Sequence, residues 1–292
     1  MGRGASEAVR TSHQANTGTS RPTPHAPRPT PRRLRLTLAY DGAEFYGAQA
    51  QPGRRTVASV LEGALARVTG ADARVAFAGR TDRGVHATGQ VAHCDAVTRL
   101  DDGELRQALN AVLPADLAVL AVETAPETFH ARYDARWREY RYRVWNAPVR
   151  LPQLARTAWH VRQRLERDAL DEAAGHLLGT HDFAAVAGQG LGVPGREPGR
   201  CTVREVYGAQ WSQQAPDVPG PAGTLLEFRV RASGFLPQMV RTIVAALIEV
   251  GAGRRAPAWI AELLAARDRR LGPAPAPPQG LTLWGVGYGV EG

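Results

Sequence analysis

The sequence has no lysine, only two cysteines and no long apolar run. The two cysteines, Cys94 and Cys201, are too few for a disulfide framework or for a metal site with four thiolate ligands, and they fit a reducing compartment. No apolar stretch is long enough to span a bilayer, and the first 31 residues lack the apolar centre of a secretory signal. We therefore expect a cytoplasmic protein that does not contact a membrane.

All 36 basic residues are arginine, and the net charge of +8 is unevenly distributed. Residues 1–33 contain six arginines and one glutamate, so they supply +5 and leave +3 for the rest of the chain. The total charge is therefore a weak indicator of nucleic-acid binding by the folded part. Arginine nevertheless suits RNA, because its planar guanidinium binds phosphate oxygens in pairs and stacks on rings.

The composition divides the chain into a tail and two α/β halves. Residues 1–31 are rich in proline, threonine, serine, glycine and arginine and carry no apolar run, which predicts a flexible tail. The apolar content of 43% supports a core in one large or two ordinary domains. We predict an N-terminal α/β half over 32–125 and a C-terminal α/β half over 126–292.

Apolar periodicity and helix-ending residues predict the same kinds of elements in both halves. The predicted strands are 34–40, 74–79, 89–95, 117–124, 138–145, 201–211, 224–232 and 281–288, and the predicted helices are 57–68, 102–112, 168–178, 238–250 and 258–266. Two stretches rich in glycine and proline, 187–198 and 213–223, are predicted loops, and the first is a candidate cover for an active site.

The run FAGRTDRGVHATGQV, residues 77–91, places one carboxylate between two arginines. Asp82 is flanked by Arg80 and Arg83, and neighbouring positive charge favours the ionised carboxylate, which can act as a nucleophile or a base. Glycines on both sides permit tight turns and the close approach of a bulky ligand. The alternative is an ordinary polar turn in which the Asp82 side chain caps the backbone.

This run resembles the GRTDxGVHAxGQ signature of the TruA family of tRNA pseudouridine synthases. Similar motifs follow in the family's order along most of residues 34–290. They are YDGAEFYGAQAQ (40–51), an N-x-x-LP element (110–114), FHARYDARWREYRYRVWN (129–146), SGFLPQMVRTIVAALIEVG (233–251) and GLTLWGVGY (280–288).

The resemblance implies an α/β fold of the α+β type. Two ferredoxin-like split βαβ halves would share a central, mainly antiparallel sheet, with the active-site cleft between them. The implied activity is the isomerisation of uridine to pseudouridine in the anticodon stem-loop of tRNA, at positions 38–40. The implied assembly is a homodimer that contacts tRNA with both subunits, and the reaction requires no metal and no cofactor.

The same resemblance assigns roles to individual residues. Asp82 is the essential carboxylate, either as a nucleophile toward the sugar or as a base. Arg241 is the cation paired with Asp82, and Tyr140 stacks on the uracil ring and is a candidate acceptor of the carbon-5 proton. The predicted substrate-binding residues are Arg80, Arg83, His86, Gln90, Tyr140 and Leu281, with Leu283 as a second pocket wall. Two plainer alternatives stay open, because His86 could order the catalytic turn and Tyr140 could be one buried face of a strand.

The sequence departs from the family pattern at several positions near these motifs, and residues 184–186 lack the Ser-Phe that usually follows the Asp-Phe pair. Ala48 stands where tryptophan is usual, Arg83 replaces the more usual alanine, and Pro237 and Gln238 lie within the late motif. These differences put RNA positioning and site choice in doubt more than the reaction. The arginines expected to contact the RNA backbone, with aromatic rings between them, are Arg132, Arg136, Arg138, Arg141 and Arg143.

Two other functions stay open at this point. A tRNA-binding or chaperone protein on the same scaffold would bind tRNA without forming pseudouridine. A hydrolytic glycosidase would normally need two carboxylates flanking the scissile bond, and no motif places a second one.

Overall fold

The computed structural model describes residues 1–2, 31–188, 201–214 and 222–289. Nearly all of the predicted tail, and most of the predicted loops at 187–198 and 213–223, lie outside the described residues. Within them, no helix is long and apolar enough to cross a membrane.

The described residues form ten strands and five α-helices. The strands are β1 (Arg32–Tyr40), β2 (Ala76–Phe77), β3 (His86–Ala96), β4 (Leu117–Thr124), β5 (Trp137–Asn146), β6 (Trp159–Val161), β7 (Gly179–Asp182), β8 (Val203–Gln214), β9 (Thr224–Ala232) and β10 (Leu281–Gly287). The helices are α1 (Val57–Thr69), α2 (Asp102–Val112), α3 (Arg167–Gly175), α4 (Met239–Gly251) and α5 (Trp259–Ala266).

Local capping explains why the first-half helices begin where the sequence predicts. Asp101 and Glu104 form a reciprocal capping box at the start of α2, and Thr56 and Ser59 form another at the start of α1. Gly70 ends α1 in the left-handed conformation, with φ of +73°. The chain follows the predicted order of strand, helix, strand, strand, helix, strand in this half.

The C-terminal half differs from the sequence prediction around α3. The helix ends at Gly175, three residues before the predicted end, and Gly179 begins β7 instead of closing the helix. The apolar pattern continues through Leu177 and Leu178 beyond the last helical turn, which explains the overlong prediction. The sequence analysis also missed β6 and β7, which are three and four residues long.

One sheet contains all ten strands, in the order β4-β1-β3-β10-β5-β9-β8-β7, with β2 on β3 and β6 on β5. Pairing is antiparallel except for β3 with β10 and β5 with β6. The predicted class, an α/β protein with a central and mainly antiparallel sheet, is confirmed. The boundaries proposed for the two halves stay a prediction.

The short contact between β3 and β10 connects the strands of the first half to those of the second. It pairs His86 with Thr282 and Ala87 with Leu283. Strand β2 pairs with β3 further along, at Ala92 and His93. The loop between β2 and β3, residues 78–85, therefore lies beside the junction of the two sets of strands.

The two faces of the sheet have different chemistry. Along β5, Tyr140, Tyr142 and Val144 belong to a continuous apolar core with the helices, while Glu139 and Arg141 alternate with them and take the other face. Strand β9 repeats the pattern beside it. Side-chain alternation thus separates an apolar helix-covered face from a charged one.

Two buried carboxylates, Glu139 and Glu227, organise the charged face. Glu139 is 2% exposed and accepts hydrogen bonds from Arg229 at 2.8 Å, Arg231 at 3.1 Å and Arg141 at 3.2 Å. Glu227 is 3% exposed and accepts from Arg141 at 3.2 Å and Arg143 at 3.1 Å. Two of the arginines also lie over tryptophan rings, Arg141 over Trp284 at 3.7 Å and Arg231 over Trp137 at 4.1 Å from the centroid.

This network changes the interpretation of the arginine-rich segment. Arg141 and Arg143 are bound to Glu227, and Arg138 donates to four main-chain carbonyls, those of Ala78, Arg132, Ala135 and Ser233. Three of the five arginines expected to contact RNA are therefore bound within the protein, and their contact with RNA stays a prediction.

Burial and the neighbouring arginines shift the pKa of Glu139 in opposite directions. Burial alone would raise the pKa of Glu139, but hydrogen bonds and charge from Arg229, Arg231 and Arg141 outweigh it, so the pKa lies below its ordinary value of 4.5. A carboxylate whose pKa is lower in the folded state stabilises that state above the unfolded pKa. The stabilisation is lost as the pH falls through the folded pKa.

We predict that Glu139→Gln destabilises the fold at neutral pH and much less in acid. The free energy of unfolding at pH 7 should fall by about 2 to 3 kcal/mol. Removing one partner of a buried ion pair costs about 3 to 5 kcal/mol, and the partial exposure of the three arginines reduces that cost. The difference from the wild type should begin to shrink as the pH falls below about 4.5, where the carboxylate of the unfolded chain becomes protonated, and should be lost below the lower pKa of the folded state. Urea unfolding at pH 7 and pH 4 measures both effects.

The matched control is Glu205→Gln, which changes an exposed carboxylate on β8. Its unfolding free energy should stay within about 0.5 kcal/mol of the wild type. A Glu139→Gln protein as stable as the wild type at pH 7 would show that the network contributes nothing.

Candidate active site

Asp82 lies in the loop at 78–85, the catalytic loop, which is held in place by the segment that follows β1. The Ala48 amide donates to the Thr81 carbonyl at 3.0 Å, and the Gly84 amide donates to the Phe45 carbonyl at 3.4 Å. Within the loop, the Val85 amide donates to the Asp82 carbonyl at 3.2 Å. The Asp82 backbone is thereby fixed on both sides while its side chain stays 37% exposed.

Gln90 on β3 anchors the start of this loop. Its side chain is fully buried, and its amide both donates to the Gly79 carbonyl at 2.7 Å and accepts from the Gly79 amide at 3.2 Å. It also donates to the Tyr40 hydroxyl at 3.3 Å, which lies 2.8 Å from the Thr81 hydroxyl. Burial raises the pKa of Tyr40 to about 12, so this phenol is neutral. Gln90 thus supports the loop from behind, and its contact with a substrate stays a prediction.

Arg241, in the first turn of α4, is the ionic partner of Asp82. Its Nη1 lies 3.2 Å from Asp82 Oδ2, and the two residues are 159 positions apart in the sequence. Its Nε donates to the Ala276 carbonyl at 2.7 Å, and the Ala276 amide donates back to the Arg241 carbonyl at 3.0 Å. The Arg241 side chain is only 14% exposed, so the cation is held between the catalytic loop and the segment leading to β10.

The sequence neighbours of Asp82 point elsewhere. The Arg83 guanidinium lies over the Tyr46 ring at 4.2 Å, and Arg54 lies over the same ring at 4.6 Å. Arg80 is exposed and lines a groove beside the loop. Among the described ion pairs, Asp82 is joined to Arg241 and to neither neighbour. The local sequence suggests that Arg80 and Arg83 supply the positive charge beside Asp82, but Arg241 on α4 supplies it.

Tyr140 and Leu283 line the other side of the loop. They are directly paired across β5 and β10, and a Cβ placed on Gly79 would lie 3.5 Å from both the Tyr140 hydroxyl and the Leu283 side chain. The Phe235 ring packs edge-on against Tyr140 at 5.0 Å. Leu281, 6% exposed, lies two residues before Leu283 on β10. Apolar side chains therefore border a half-exposed carboxylate.

The charge of Asp82 acts on the hydroxyl group of Tyr140. Burial raises its pKa strongly, and the proximity of Tyr40 and the charge of Asp82 raise it further. Within the described part of the chain, the hydroxyl has no hydrogen-bond partner. The neutral phenol thus carries an unused donor at the edge of the site.

His86 orders the chain instead of facing the carboxylate. Its Nδ1 accepts from the Gly42 amide at 3.1 Å, and its Nε2 lies 2.8 Å from the Arg156 carbonyl. The same Nδ1 lies 3.1 Å from Asp41 Oδ1. The structure thus favours the plainer alternative, and a direct contact of His86 with substrate stays a prediction.

The assembled side chains define a specific kind of chemistry. A half-exposed carboxylate is oriented by one guanidinium and bordered by leucines and a phenol, which suits a flat, uncharged ring held beside a nucleophile or base. The sequence analysis did not single out Tyr46, Phe235 or Ala276. Phe235 lies within the SGFLPQMVR motif, so the motif contained that signal, whereas Ala276 lies in a proline-rich stretch without one.

Comparison with known proteins agrees with this geometry. The sequence model of a family described as "tRNA pseudouridine synthase" matches residues 37–134 and 173–289, which include Asp82, Tyr46 and Arg241. The "tRNA pseudouridine synthase A" of Geobacillus kaustophilus is 44% identical over 262 residues, covering 89% of this chain and 96% of the relative. The proteins of the same name from Brevibacillus brevis and Myxococcus xanthus are 42% and 41% identical, cover 88% of this chain, and are themselves covered over 100% and 92%.

Gly47 brings the segment after β1 against the catalytic loop, and we predict that this position tolerates no side chain. Gly47 has φ of +93°, and a Cβ there would lie 2.8 Å from the Thr81 carbonyl oxygen. Gly53 is the matched control, because its φ is +67° but its Cβ would meet nothing within 4 Å. Gly53→Ala should cost about 1 kcal/mol of unfolding free energy, and Gly47→Ala at least about 1 kcal/mol more. Urea unfolding measures both, and equal costs would show that the close approach does not constrain the loop.

Proposed function

The chain belongs to the tRNA pseudouridine synthase family, and from that premise we propose that it converts uridine to pseudouridine in the anticodon stem-loop of tRNA, at positions 38–40. One observation carries the proposal. A half-exposed aspartate, in the loop that matches the family signature, is ion-paired with Arg241 at 3.2 Å and bordered by Tyr140 and Leu283.

The reaction needs a carboxylate, a closed pocket and a base. The bond between N1 of uracil and C1′ of ribose breaks, the uracil turns within the pocket, and a bond forms between C5 and C1′. The C5 proton leaves and N1 gains a proton, so no electrons are exchanged with another molecule. Asp82 serves this scheme either by attacking the sugar or by taking a proton from it.

Arg241 keeps Asp82 ready for either role. Its guanidinium bonds Asp82 Oδ2 and, by bonding the Ala276 carbonyl as well, holds that carboxylate oxygen in a fixed direction. Preorganised charge of this kind requires no rearrangement during the reaction. The second carboxylate oxygen is left for the sugar.

Tyr140 is suited to hold the detached uracil. Its ring borders the site beside Leu283, and its hydroxyl is protonated in the free protein because burial and the negative charge of Asp82 raise its pKa. If Asp82 forms a bond to the sugar, its negative charge disappears and the pKa of Tyr140 falls. A lower pKa makes the phenolate easier to form, and only the phenolate can take the C5 proton, so Tyr140 must lose its own proton before that step.

The substrate uridine must leave its stack to reach Asp82, which costs a few kcal/mol. Arg80 and Arg83, exposed on the two sides of Asp82 in the sequence, are placed to offset this by binding the displaced strand.

We propose that the site forms between the two halves over 32–125 and 126–292, and that the protein works as a homodimer in the cytoplasm. Asp82 comes from the first half, and Arg241 and Tyr140 come from the second, which supports a cleft between them. The assembly and the location follow from the resemblance to the family.

We predict that Asp82→Asn abolishes the reaction. Asparagine keeps the size but can neither attack the sugar nor take its proton, so kcat should fall by at least about 10³-fold. The measurement is the release of tritium to water from tRNA labelled at carbon 5 of uridine. The matched control, Asp95→Asn, removes an exposed carboxylate that pairs with Arg33 and should leave release within threefold of the wild type.

The outcomes separate the competing functions. Full release by Asp82→Asn would remove the site assignment. Tight tRNA binding with no release by the wild type would favour a tRNA-binding protein without turnover, and free uracil among the products would favour a hydrolase.

A further inference from the structure

A groove of about 390 Å³ runs from the catalytic loop to the segment after β4. Its floor is apolar and includes Ala58, Val75 and Phe77, and Arg80 lies on its wall two residues before Asp82. The far end is formed by His130, Arg132 and Tyr133. A volume of this size is in the range of small-molecule sites. The groove thus lies beside the loop that carries Asp82, with Arg80 belonging to both.

The far end carries three rings in contact, of which His130 and Tyr133 are stacked and His93 is tilted by 58° against His130. His93 is buried, His130 lies 4.5 Å from it, and Tyr133 stacks on His130 at 4.2 Å with an angle of 30° between the ring planes. Tyr133 is the outermost ring and is 75% exposed. A single exposed aromatic residue is ordinary, but a ring stacked on a second, partly buried ring presents a flat face held in one orientation.

The backbone around this stack is fixed before any ligand binds. The His130 Nδ1 accepts from the amides of Arg132 and Tyr133, both at 3.2 Å. The His130 amide donates to Asp134 Oδ2 at 2.7 Å, and Arg138 donates to the Arg132 carbonyl at 2.6 Å. A platform that is ordered in advance loses little entropy when a ligand stacks on it.

The charge at the groove favours an anion. Arg80 and Arg132 are both exposed, and neither has a carboxylate partner among the described ion pairs. Among the described residues that line the groove, the one carboxylate is Glu62, which accepts from Arg74 at 2.9 Å and from the Val75 amide at 3.0 Å. The Arg132 guanidinium lies 5.7 Å from the centroid of the Tyr133 ring. An exposed aromatic face flanked by Arg80 and Arg132 matches a base and its phosphates.

We propose that this groove is a second nucleotide site, which holds an unpaired nucleotide of the tRNA close to the target uridine. Its base stacks on Tyr133 and its phosphates bind Arg132 and Arg80. The inference rests on the proposed function, since it takes tRNA as the ligand. It gives the enzyme a contact with substrate that the chemistry at Asp82 does not use.

Three variants test the platform in the full-length protein: Tyr133→Ala, Tyr133→Phe and, as a matched control, Tyr207→Ala, which removes a tyrosine on β8 that is 50% exposed. Tyr133→Ala should raise the KM for tRNA about 5- to 100-fold, the range expected for loss of one stacked base. Its kcat should stay within threefold, and Tyr133→Phe and Tyr207→Ala should keep both values within about twofold. Tyr133 is exposed, so the melting temperature should not change.

A stem-loop RNA with single abasic sites locates the partner base. One abasic position should weaken binding to the wild type, measured by fluorescence anisotropy, and have no further effect on Tyr133→Ala. Arg132→Gln should weaken binding of all RNAs and reduce the salt dependence by about one unit of slope.

Failure of the inference differs from failure of the proposed function. A wild type that releases no tritium would overturn the function. A wild type that releases tritium, with Tyr133→Ala unchanged in KM and equally sensitive to every abasic site, would overturn the second nucleotide site alone.

Discussion

The ion pair between Arg241 and Asp82 is the contact on which the site depends. It joins a loop next to β3 to the first turn of α4, and through Ala276 it also holds the segment that leads into β10. That segment is bound again by Tyr142, whose hydroxyl donates to the Pro277 carbonyl at 2.7 Å. The parallel pairing of β3 with β10 brings these pieces to one place. Without this pairing, Asp82 would lose both its cation, Arg241, and its neighbours Tyr140 and Leu283.

Some arginines of this chain support the fold, and others are exposed where they can contact a substrate. With no lysine in the chain, each cationic task falls to arginine, and sequence alone does not distinguish these tasks. Arg138, Arg141 and Arg143 are occupied by carbonyls and buried carboxylates, whereas Arg80 and Arg132 are exposed around the groove. The difference arises from strand alternation, which turns the first group toward Glu139 and Glu227 or into the protein. A count of arginines therefore says little about where RNA binds.

The sequence analysis predicted the structural features that local sequence signals determine. The bounds of α2 and β4 were predicted to the residue. A capping box starts the helix, and an apolar run rich in valine and leucine defines the strand, although a register shift after Val119 interrupts its alternation. Strands β6 and β7 are too short to show a period, and they exist because β5 and β8 offer them an edge. The cation beside Asp82 is a similar case. Local charge pointed to Arg80 and Arg83, and only the family resemblance pointed to Arg241, because no local pattern relates residues 159 positions apart. The supporting role of Gln90 likewise needed the fold, which buries its amide against Gly79.

The most direct test of this account is single-turnover tritium release by Arg241→Gln on carbon-5-labelled tRNA, with tRNA affinity measured on the same protein. Glutamine removes the charge that orients Asp82 and leaves the groove and its exposed arginines in place. The account predicts that the rate falls by at least about 10²-fold while tRNA affinity stays within threefold. A variant that folds and turns over within threefold of the wild-type rate would contradict it.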